Sequence, residues 1–211
     1  MKRVIAICLT ALMMISLCAC GTTEKWLLMK ETHNYGMGEN VLTYTYDDYG
    51  NVSEIFETDF SDGTWFKTII KDNKIDYIES NFNEVYADEG LELTVSLESD
   101  YEYTLQIFYD DVLIRKVTNT LNDSGKIVKG IAIQYNQGYR DEIIRSFDKN
   151  NALTAVSYTR FDLDTNEVLD QSINTYYCTY DSNQLPIAAY DSGMPDSPAI
   201  EYVWDLVEVK K

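Results

Sequence analysis

Apolar and polar residues alternate along most of the chain with the period of a β-strand. The clearest run covers positions 101–109, where apolar residues at every second position are separated by Glu102, Thr104 and Gln106. Such alternation places all the apolar side chains on one face of a strand. Tyr, Thr, Val and Ile, which favour strands, fill these runs, and no window shows a long helical period with caps. The pattern predicts an all-β chain with little helix.

Turn signals separate the predicted strands. The best of them is Tyr-Thr-Tyr-Asp-Asp-Tyr-Gly-Asn-Val at positions 44–52. An Asp side chain can accept a hydrogen bond from the backbone two residues on, and Gly tolerates the positive φ that closes a tight turn. The same spacing recurs from Asn122 to Gly125, and from Asp148 to Asn151, where Asn takes the left-handed position. Each copy predicts a β-hairpin.

The turns form two interleaved series. Turns near residues 47, 72, 98, 122 and 148 lie about 25 residues apart, and a second series falls at 61–63, 88–90, 110–111, 136–138 and 162–166. Regularly spaced turns between strands describe a meander, and the period suits a repeat array. A sheet this wide must curl, close or split into layers. We predict an antiparallel β-meander of roughly 12 to 14 strands, forming a curved sheet, an open barrel or a sandwich, whose final strand returns to cover an edge.

The motif at 44–52 resembles the YD repeat of RHS-type proteins, a bacterial β-hairpin repeat. Weaker copies lie at 147–153 and 177–185, and the second of these lacks the Gly and is one residue short. The resemblance implies hairpins. The large toxin-enclosing shell of that family is not expected for a chain of this length.

The amino terminus has the features of an export signal. Positions 1–3 are Met-Lys-Arg, and an apolar run follows from Val4 to Ala19, which is typical of a secretory signal and short for a stable transmembrane helix. The run ends in Leu17-Cys18-Ala19-Cys20. This tetrapeptide resembles the lipobox of bacterial lipoproteins, although Cys18 stands where Ala, Ser or Thr is commoner.

That resemblance implies cleavage before Cys20 and a diacylglycerol on its sulfur. The expected organisation is a signal peptide at 1–19, a lipidated Cys with a short tether at 20–25, and a single β-repeat domain at 26–211. The predicted location is the cell membrane or outer envelope, with the domain outside the cytoplasm. The alternative is an ordinary secretory signal that is cut elsewhere.

The net charge limits the kinds of partner, and the cysteine content limits disulfide bonding. The 211 residues include 35 acidic and 17 basic side chains, a net charge of −18. Such a field repels nucleic acid and anionic lipid surfaces, and it favours solubility, cations and basic partners. Only Cys178 lies outside the signal segment, so the mature chain has no disulfide framework.

Candidate catalytic and metal-binding residues are few. His33 is the only histidine, so a Cys–His nucleophile pair with Cys178 is formally possible, but nothing in the sequence orients the two. The same scarcity argues against zinc. Asp162, Asp164 and Asn166 resemble the start of an EF-hand calcium loop, which then lacks the Gly and the bidentate Glu of that motif. No cofactor or metal is expected, and a turn rich in Asp and Asn is the better interpretation.

Aromatic residues are the other notable feature, with 17 Tyr, seven Phe and three Trp. Tyr suits sugar stacking and protein contact, and it also fills strand cores. Tyr44, Tyr46 and Tyr49 are the candidates for a binding strip on a wet face.

These observations favour a non-enzymatic, surface-tethered lipoprotein that binds a protein, a glycan or a small apolar ligand. A second hypothesis is a carrier that encloses a lipid or other apolar ligand in a curled sheet. A third is an enzyme that depends on carboxylates or calcium.

Overall fold

A computed structural model describes residues 22–34, 39–59 and 61–211. These residues form fourteen strands: β1 Thr22–Asn34, β2 Glu39–Tyr46, β3 Val52–Asp59, β4 Trp65–Lys71, β5 Lys74–Ser80, β6 Leu91–Ser99, β7 Glu102–Tyr109, β8 Val112–Leu121, β9 Ile127–Gln134, β10 Tyr139–Phe147, β11 Leu153–Asp162, β12 Val168–Tyr180, β13 Pro186–Asp191 and β14 Ile200–Lys210. Between β5 and β6 lie a short helix, α1 (Phe82–Val85), and a 3₁₀ turn (Ala87–Glu89). No helix in this part of the chain is long and apolar enough to cross a membrane. The predicted all-β meander with little helix is confirmed.

The strands form one antiparallel sheet that curls into a nearly closed barrel. Its order is β5-β4-β3-β2-β1-β14-β13-β12-β11-β10-β9-β8-β7-β6. The first and last strands pair along their length, with Thr22 opposite Lys210. The final strand therefore lies inside the sheet, between β1 and β13, and does not cover one of its edges as predicted. The two edges of the sheet are therefore β5 and β6, which are neighbours in the chain. All fourteen strands lie between Thr22 and Lys210, so residues 22–211 contain the whole barrel.

The amino-terminal boundary differs from the predicted one. Thr22 to Lys25, which we expected to belong to a tether, pair with the carboxyl-terminal residues Val207 to Lys210. The backbone hydrogen bonds of β14 thus draw these residues into the barrel wall, and the folded domain starts earlier than residue 26. Residues 1–19 and Cys20 lie outside the described residues.

The two turn series occupy opposite ends of the barrel. The turns at 47–51, 72–73, 122–126, 148–152 and 181–185 lie at one end, together with Thr22 and Lys210; we call this the lower end. The turns of the second series lie at the upper end. The period of about 25 residues in the sequence is therefore one full hairpin, from the lower end up and back.

Four lower turns share one geometry. In each, the side-chain oxygen of the first residue accepts hydrogen bonds from the backbone N–H groups two and four residues on, at 2.8 to 3.0 Å. The first residues are Asp47, Asn122, Asp148 and Asp181, and the residues three positions on, Gly50, Gly125, Asn151 and Gln184, all have positive φ. The turn at 181 is thus not one residue short, as its sequence suggested, because Gln184 takes the left-handed position that Gly takes elsewhere.

The β8–β9 turn reaches into the barrel and closes its lower half. A Cβ placed on Gly125 would lie 2.7 Å from Cδ1 of Ile55, which belongs to β3 on the far side of the sheet. Around this turn packs the apolar core: Leu28, Tyr44, Ile55, Ile75, Tyr103, Leu121, Leu153, Ala189, Ile200 and Tyr202. The lower half of the barrel is therefore largely filled, although a small pocket of about 20 Å³ remains at the lower end, and a larger cavity lies above.

A bulge beside this turn changes which residues face inward. The register shifts between Leu121 opposite Ile127 and Thr120 opposite Lys129. Ile127 therefore faces the interior, together with Gly130 and Ala132, whereas Ile131 alternates to the outside. Simple alternation would place Ile127 and Ile131 on one face, and the bulge, which periodicity alone does not reveal, separates them.

Replacing Gly125 with Ala should destabilise the barrel strongly. The left-handed conformation costs an L-residue about 1–2 kcal/mol, and the clash with Ile55 adds roughly 1–3 kcal/mol of overpacking. The matched control is Gly63→Ala, since Gly63 has a similar φ of +76° but nothing within 4 Å of its added Cβ. Urea unfolding followed by circular dichroism measures both variants, and equal losses of stability would contradict the insertion of the turn.

Candidate functional site

A buried ion pair forms the floor of the barrel interior. Glu31 on β1 accepts a hydrogen bond from Nζ of Lys126, which directly follows Gly125 in the inserted turn, and each residue is only 5% exposed. The ammonium also lies 5.5 to 5.7 Å from the ring centroids of Tyr44, Phe147 and Tyr202. Because three ring faces and one carboxylate surround Lys126, its charge is compensated without water.

Two further groups hold the Glu31 carboxylate. Oε2 accepts a hydrogen bond from the Tyr44 hydroxyl at 3.1 Å and lies 3.2 Å from Nε2 of His33. Burial alone would raise the pKa of Glu31, but Lys126 and His33 outweigh burial and lower it to about 2. Burial, and then the charge of Glu31, raise the pKa of Tyr44. The Glu31 carboxylate at the floor is therefore ionised at neutral pH.

Above the floor lies a cavity of about 260 Å³. Its apolar wall consists of Ile55, Phe66, Ile78, Leu105, Val117, Ile127, Ala132 and Ile143, and its polar groups come from Glu57, Thr68, Tyr103, Arg115, Asn119 and Arg145. The polar groups come from both sides of the barrel: Glu57 and Thr68 from β3 and β4, the others from β7, β8 and β10. A mostly apolar pocket with a few convergent polar groups is the usual form of a small-molecule site.

Arg115 and Arg145 bring two positive charges to this cavity without a carboxylate partner. Within the described residues, neither guanidinium lies within 4 Å of an acidic side chain in an ion pair. The nearby carboxylate of Glu57 accepts a hydrogen bond from Nδ2 of Asn40 at 2.7 Å.

A third arginine, Arg160, does form an ion pair with a carboxylate. Arg160 on β11 donates two hydrogen bonds to Asp141, at 2.7 and 3.0 Å, and its guanidinium lies 3.8 Å from the ring centroid of Tyr139. The Tyr158 hydroxyl donates to the same carboxylate at 2.8 Å. Burial would raise the pKa of Asp141, but the hydrogen bonds from Arg160 and Tyr158 lower it. Asp141 is thus hydrogen-bonded to Arg160, and the charge of Arg115 also lowers the pKa of Asp141, so Arg145 is the cavity arginine without such an interaction with Asp141.

Tyrosine at the cavity wall is held neutral. Burial, and then the charge of Glu57, raise the pKa of Tyr103, and its hydroxyl accepts a hydrogen bond from Nδ2 of Asn119 at 3.1 Å. The hydroxyl proton of Tyr103 can therefore be donated to a guest. The cavity offers two guanidiniums, the hydroxyl groups of Tyr103 and Thr68, one amide and one carboxylate.

The three tyrosines proposed for a binding strip do not share a surface. Tyr44 is 3% exposed and belongs to the core, and Tyr46 turns its hydroxyl to the carbonyl oxygen of Leu28 at 2.6 Å. Only Tyr49 is exposed, at 55%. The alternation that placed Tyr44 and Tyr46 on one face is real, but that face is the inside of the barrel.

The weak calcium candidates close the β11–β12 turn. The Asp162 carboxylate accepts hydrogen bonds from the backbone N–H groups of Asp164 and Thr165, and Oδ1 of Asn166 accepts one from Arg140 at 3.0 Å. In the described part of the chain, no group of three His, Cys, Asp or Glu side chains is arranged to hold a metal ion.

His33 and Cys178 have different surroundings. His33 contacts Glu31, as described above, whereas Sγ of Cys178 donates to the carbonyl oxygen of Leu153 at 3.3 Å. Burial raises the pKa of the Cys178 thiol, which favours the unreactive protonated form.

Sequence reasoning missed Glu31, Lys126, Arg115 and Arg145. One signal was present: Lys126 follows a turn glycine at the position where the other copies of the turn carry Asn51, Ala152 and Leu185. A charged residue at that position stands out among the four copies.

Comparisons with known proteins give a limited result. No protein-family model and no curated protein sequence matches the chain. Among solved structures, the chain is similar to the crystal structure of a porin-like protein from Bacteroides vulgatus ATCC 8482, with 10% sequence identity and a TM-score of 0.45. The match covers 86% of this chain and 99% of that chain. Function is therefore inferred from the chain's own residues.

Replacing Glu31 with Gln should cost about 3–5 kcal/mol of stability at pH 7, since it leaves Lys126 buried without a partner. The double variant Glu31→Gln/Lys126→Met should recover most of that loss. The partly exposed pair Lys129–Glu142, 2.7 Å apart, provides the control, because Glu142→Gln should cost only about 0–1 kcal/mol.

The loss of stability caused by Glu31→Gln should depend on pH. The folded pKa of Glu31, about 2, lies below its ordinary value of 4.5, so its contribution is complete above pH 4.5 and is lost as the pH falls towards 2. The stability difference between the wild type and Glu31→Gln, from urea titrations at several pH values, should therefore shrink over that window. A difference independent of pH would refute the buried ion pair.

Proposed function

We propose that this domain is the binding module of a surface-tethered bacterial lipoprotein, and that the barrel cavity holds a small ligand with a carboxylate group. The observation that carries the proposal is that the guanidiniums of Arg115 and Arg145, neither of which forms an ion pair with a carboxylate, line one cavity. Arg115 is exposed and Arg145 is half-buried, so a carboxylate guest would add charge-assisted hydrogen bonds to both groups. Guanidinium binds carboxylate with two parallel hydrogen bonds, which suits this guest.

The size of the cavity limits the ligand. Its volume of about 260 Å³ lies below the range of roughly 300–1,000 Å³ that is usual for pockets holding drug-sized molecules. The apolar wall from Phe66, Leu105 and Val117 suits a short hydrocarbon or ring, and the guanidiniums suit its carboxylate. A long acyl chain fits poorly, so the cavity favours a small organic acid over a membrane lipid.

The outer face of the barrel supports a tethered domain surrounded by water. Lys67 on β4 lies 3.9 Å from Glu54 and 4.0 Å from Glu79, on the strands either side of it. A membrane-spanning barrel needs an outward apolar band about 25 Å tall, and charges in that band are destabilising. A row of charged side chains across three neighbouring strands is favourable where the outer face of the barrel contacts water.

The proposed anchor would orient the cavity. Thr22, the first residue of β1, lies at the lower end of the barrel, two positions after Cys20. A lipid on Cys20 would hold the lower end close to the membrane. Arg115, near the start of β8, and Phe66, near the start of β4, lie towards the upper end, whereas Arg145, near the end of β10, lies towards the lower end. The Arg115 end of the cavity would therefore face away from the membrane.

Replacing Arg145 with Gln should weaken the binding of small carboxylates by about tenfold or more, since a hydrogen bond to a charged group contributes roughly 1.5–3 kcal/mol. Isothermal titration calorimetry of residues 22–211 against benzoate, succinate and glucuronate provides the measurement. The matched control is Arg140→Gln on the same strand, because Arg140 lies 4.4 Å from the ring of Phe161 and does not line the cavity.

The outcomes separate the hypotheses. Binding that Arg145→Gln abolishes and Arg140→Gln retains would support the proposal. Carboxylate binding that both variants retain would overturn it. Native mass spectrometry after purification without detergent adds a second criterion, since a co-purified neutral lipid that leaves on denaturation would favour the apolar carrier instead.

Replacing Cys20 with Ala should release the protein from membranes, because the diacylglycerol has no other attachment point in the proposed lipobox. Membrane and soluble fractions of the expressing bacterium, compared by immunoblot, give the measurement. Cys178→Ala is the control, and it should leave the protein in the membrane fraction. Unchanged retention of the Cys20→Ala variant would reject the anchor.

A further inference from the structure

The barrel has an open seam between β5 and β6, the two edge strands of the sheet. Among the described residues, a backbone hydrogen bond crosses the seam only at its lower end, from the N–H of Ile75 to the carbonyl oxygen of Asp100, at 2.9 Å. An ion pair of 2.7 Å between Lys74 and Asp100 lies at the same place. Above this point the two strand edges face each other unpaired.

One side chain shows which backbone groups of β6 face the seam. Nδ2 of Asn83, in α1, donates to the carbonyl oxygen of Leu93 at 3.1 Å, and Oδ1 of Asn83 accepts from the Leu93 N–H at 2.6 Å. The amide of Asn83 thus occupies the position of a peptide group on a neighbouring strand. Because N–H and C=O directions alternate along an antiparallel strand, the groups of Val95 and Leu97 point the same way and are left without a partner.

The side chains of these residues are apolar and exposed. Val95 lies opposite Leu105, and Leu97 lies opposite Tyr103, both of which line the cavity, so Val95 and Leu97 belong to the inner face of the barrel. They are nevertheless 36% and 42% exposed. Free backbone donors and acceptors, beside exposed apolar side chains on one face, are the features to which an added β-strand binds.

The negative charge around the seam indicates which side chains an added strand would carry on its outward face. From Lys74 to Asp100 the chain carries eight carboxylates and a single basic residue. Asp76 and Glu79 on β5, and Glu92 and Glu98 on β6, are all exposed. An incoming strand with basic side chains on its outer face would be attracted to this region.

We propose that the seam binds an extended segment of a partner protein as an additional β-strand, with apolar side chains turned inward and Lys or Arg turned outward. The Val95 and Leu97 backbone groups would bond to the segment, and Glu92 and Glu98 would attract its basic side chains. The strand would contact neither Arg115 nor Arg145, so either proposal can fail without the other.

The probe is an acetylated, amidated peptide, Lys-Val-Lys-Val-Lys-Val-Lys, titrated into residues 22–211 and followed by calorimetry. We expect saturable binding that is lost with the corresponding Glu-Val peptide and with a Lys-Val peptide N-methylated at alternate residues. Hydrogen exchange should show fast exchange of the Val95 and Leu97 amides in the free protein and slower exchange in the complex.

Protein variants test the same contacts from the other side. Val95→Pro removes a seam-facing N–H and leaves the β6–β7 ladder intact, so it should weaken binding while circular dichroism stays unchanged. The double variant Glu92→Gln/Glu98→Gln should weaken binding on the order of fivefold. Glu142→Gln/Asp205→Asn removes the same charge on other strands and is its control.

Three results would overturn the proposal. The first is protection of the Val95 and Leu97 amides in the free protein, which would mean that the seam is closed. The second is equal affinity for the N-methylated peptide, which would mean charge attraction without strand pairing. The third is no binding of the Lys-Val peptide at all.

Discussion

The ion pair between Glu31 and Lys126 is the interaction on which the interior depends. It joins β1 to the turn between β8 and β9, which are far apart in the sheet order and meet only because that turn enters the barrel. Desolvating two charges is expensive, and the aromatic rings around Lys126 offset only part of that cost. The pair therefore holds the β8–β9 turn in one position, since a different position would leave both buried charges without a partner. With the turn fixed, the lower barrel is largely filled, and the larger cavity lies above it.

Turns of the same backbone geometry pack in two different places in this barrel. The turn at 47–51 packs on the outside of the β1–β14 ribbon, where a Cβ on Gly50 would approach Val209 at 3.2 Å. The turn at 122–126 packs inside. Both use the same side-chain oxygen and the same left-handed residue, so the backbone geometry does not determine the direction. The difference lies at the fifth residue, which is Asn51 in the first and Lys126 in the second, because only the lysine has a buried carboxylate to reach.

Local patterns in the sequence predicted the local structure and failed where contacts are distant. Alternation at 101–109 and the Asp–Gly turns yielded the strand class, the meander and a strand number that included the observed one. Closure of the sheet depends on β1 pairing with β14, at a separation that no periodicity reports. The bulge after Leu121 exchanged the faces of β9, and inward charges such as Arg145 looked like ordinary polar positions of a wet face. The sequence pattern therefore separated two faces correctly but assigned Tyr44 and Tyr46 to the wrong one.

The cavity and the seam are physically connected, which links the two proposed sites. Leu105 and Tyr103 line the cavity and are the cross-strand neighbours of Val95 and Leu97 at the seam, and Ile78 of the opposite edge strand lines the same cavity. A strand bound in the seam would exclude water from this side of the barrel. Lower local polarity strengthens the attraction between a guanidinium and a carboxylate. A partner segment that completes the barrel would therefore raise the affinity for the small acid, and by linkage the acid would raise the affinity for the partner by the same factor.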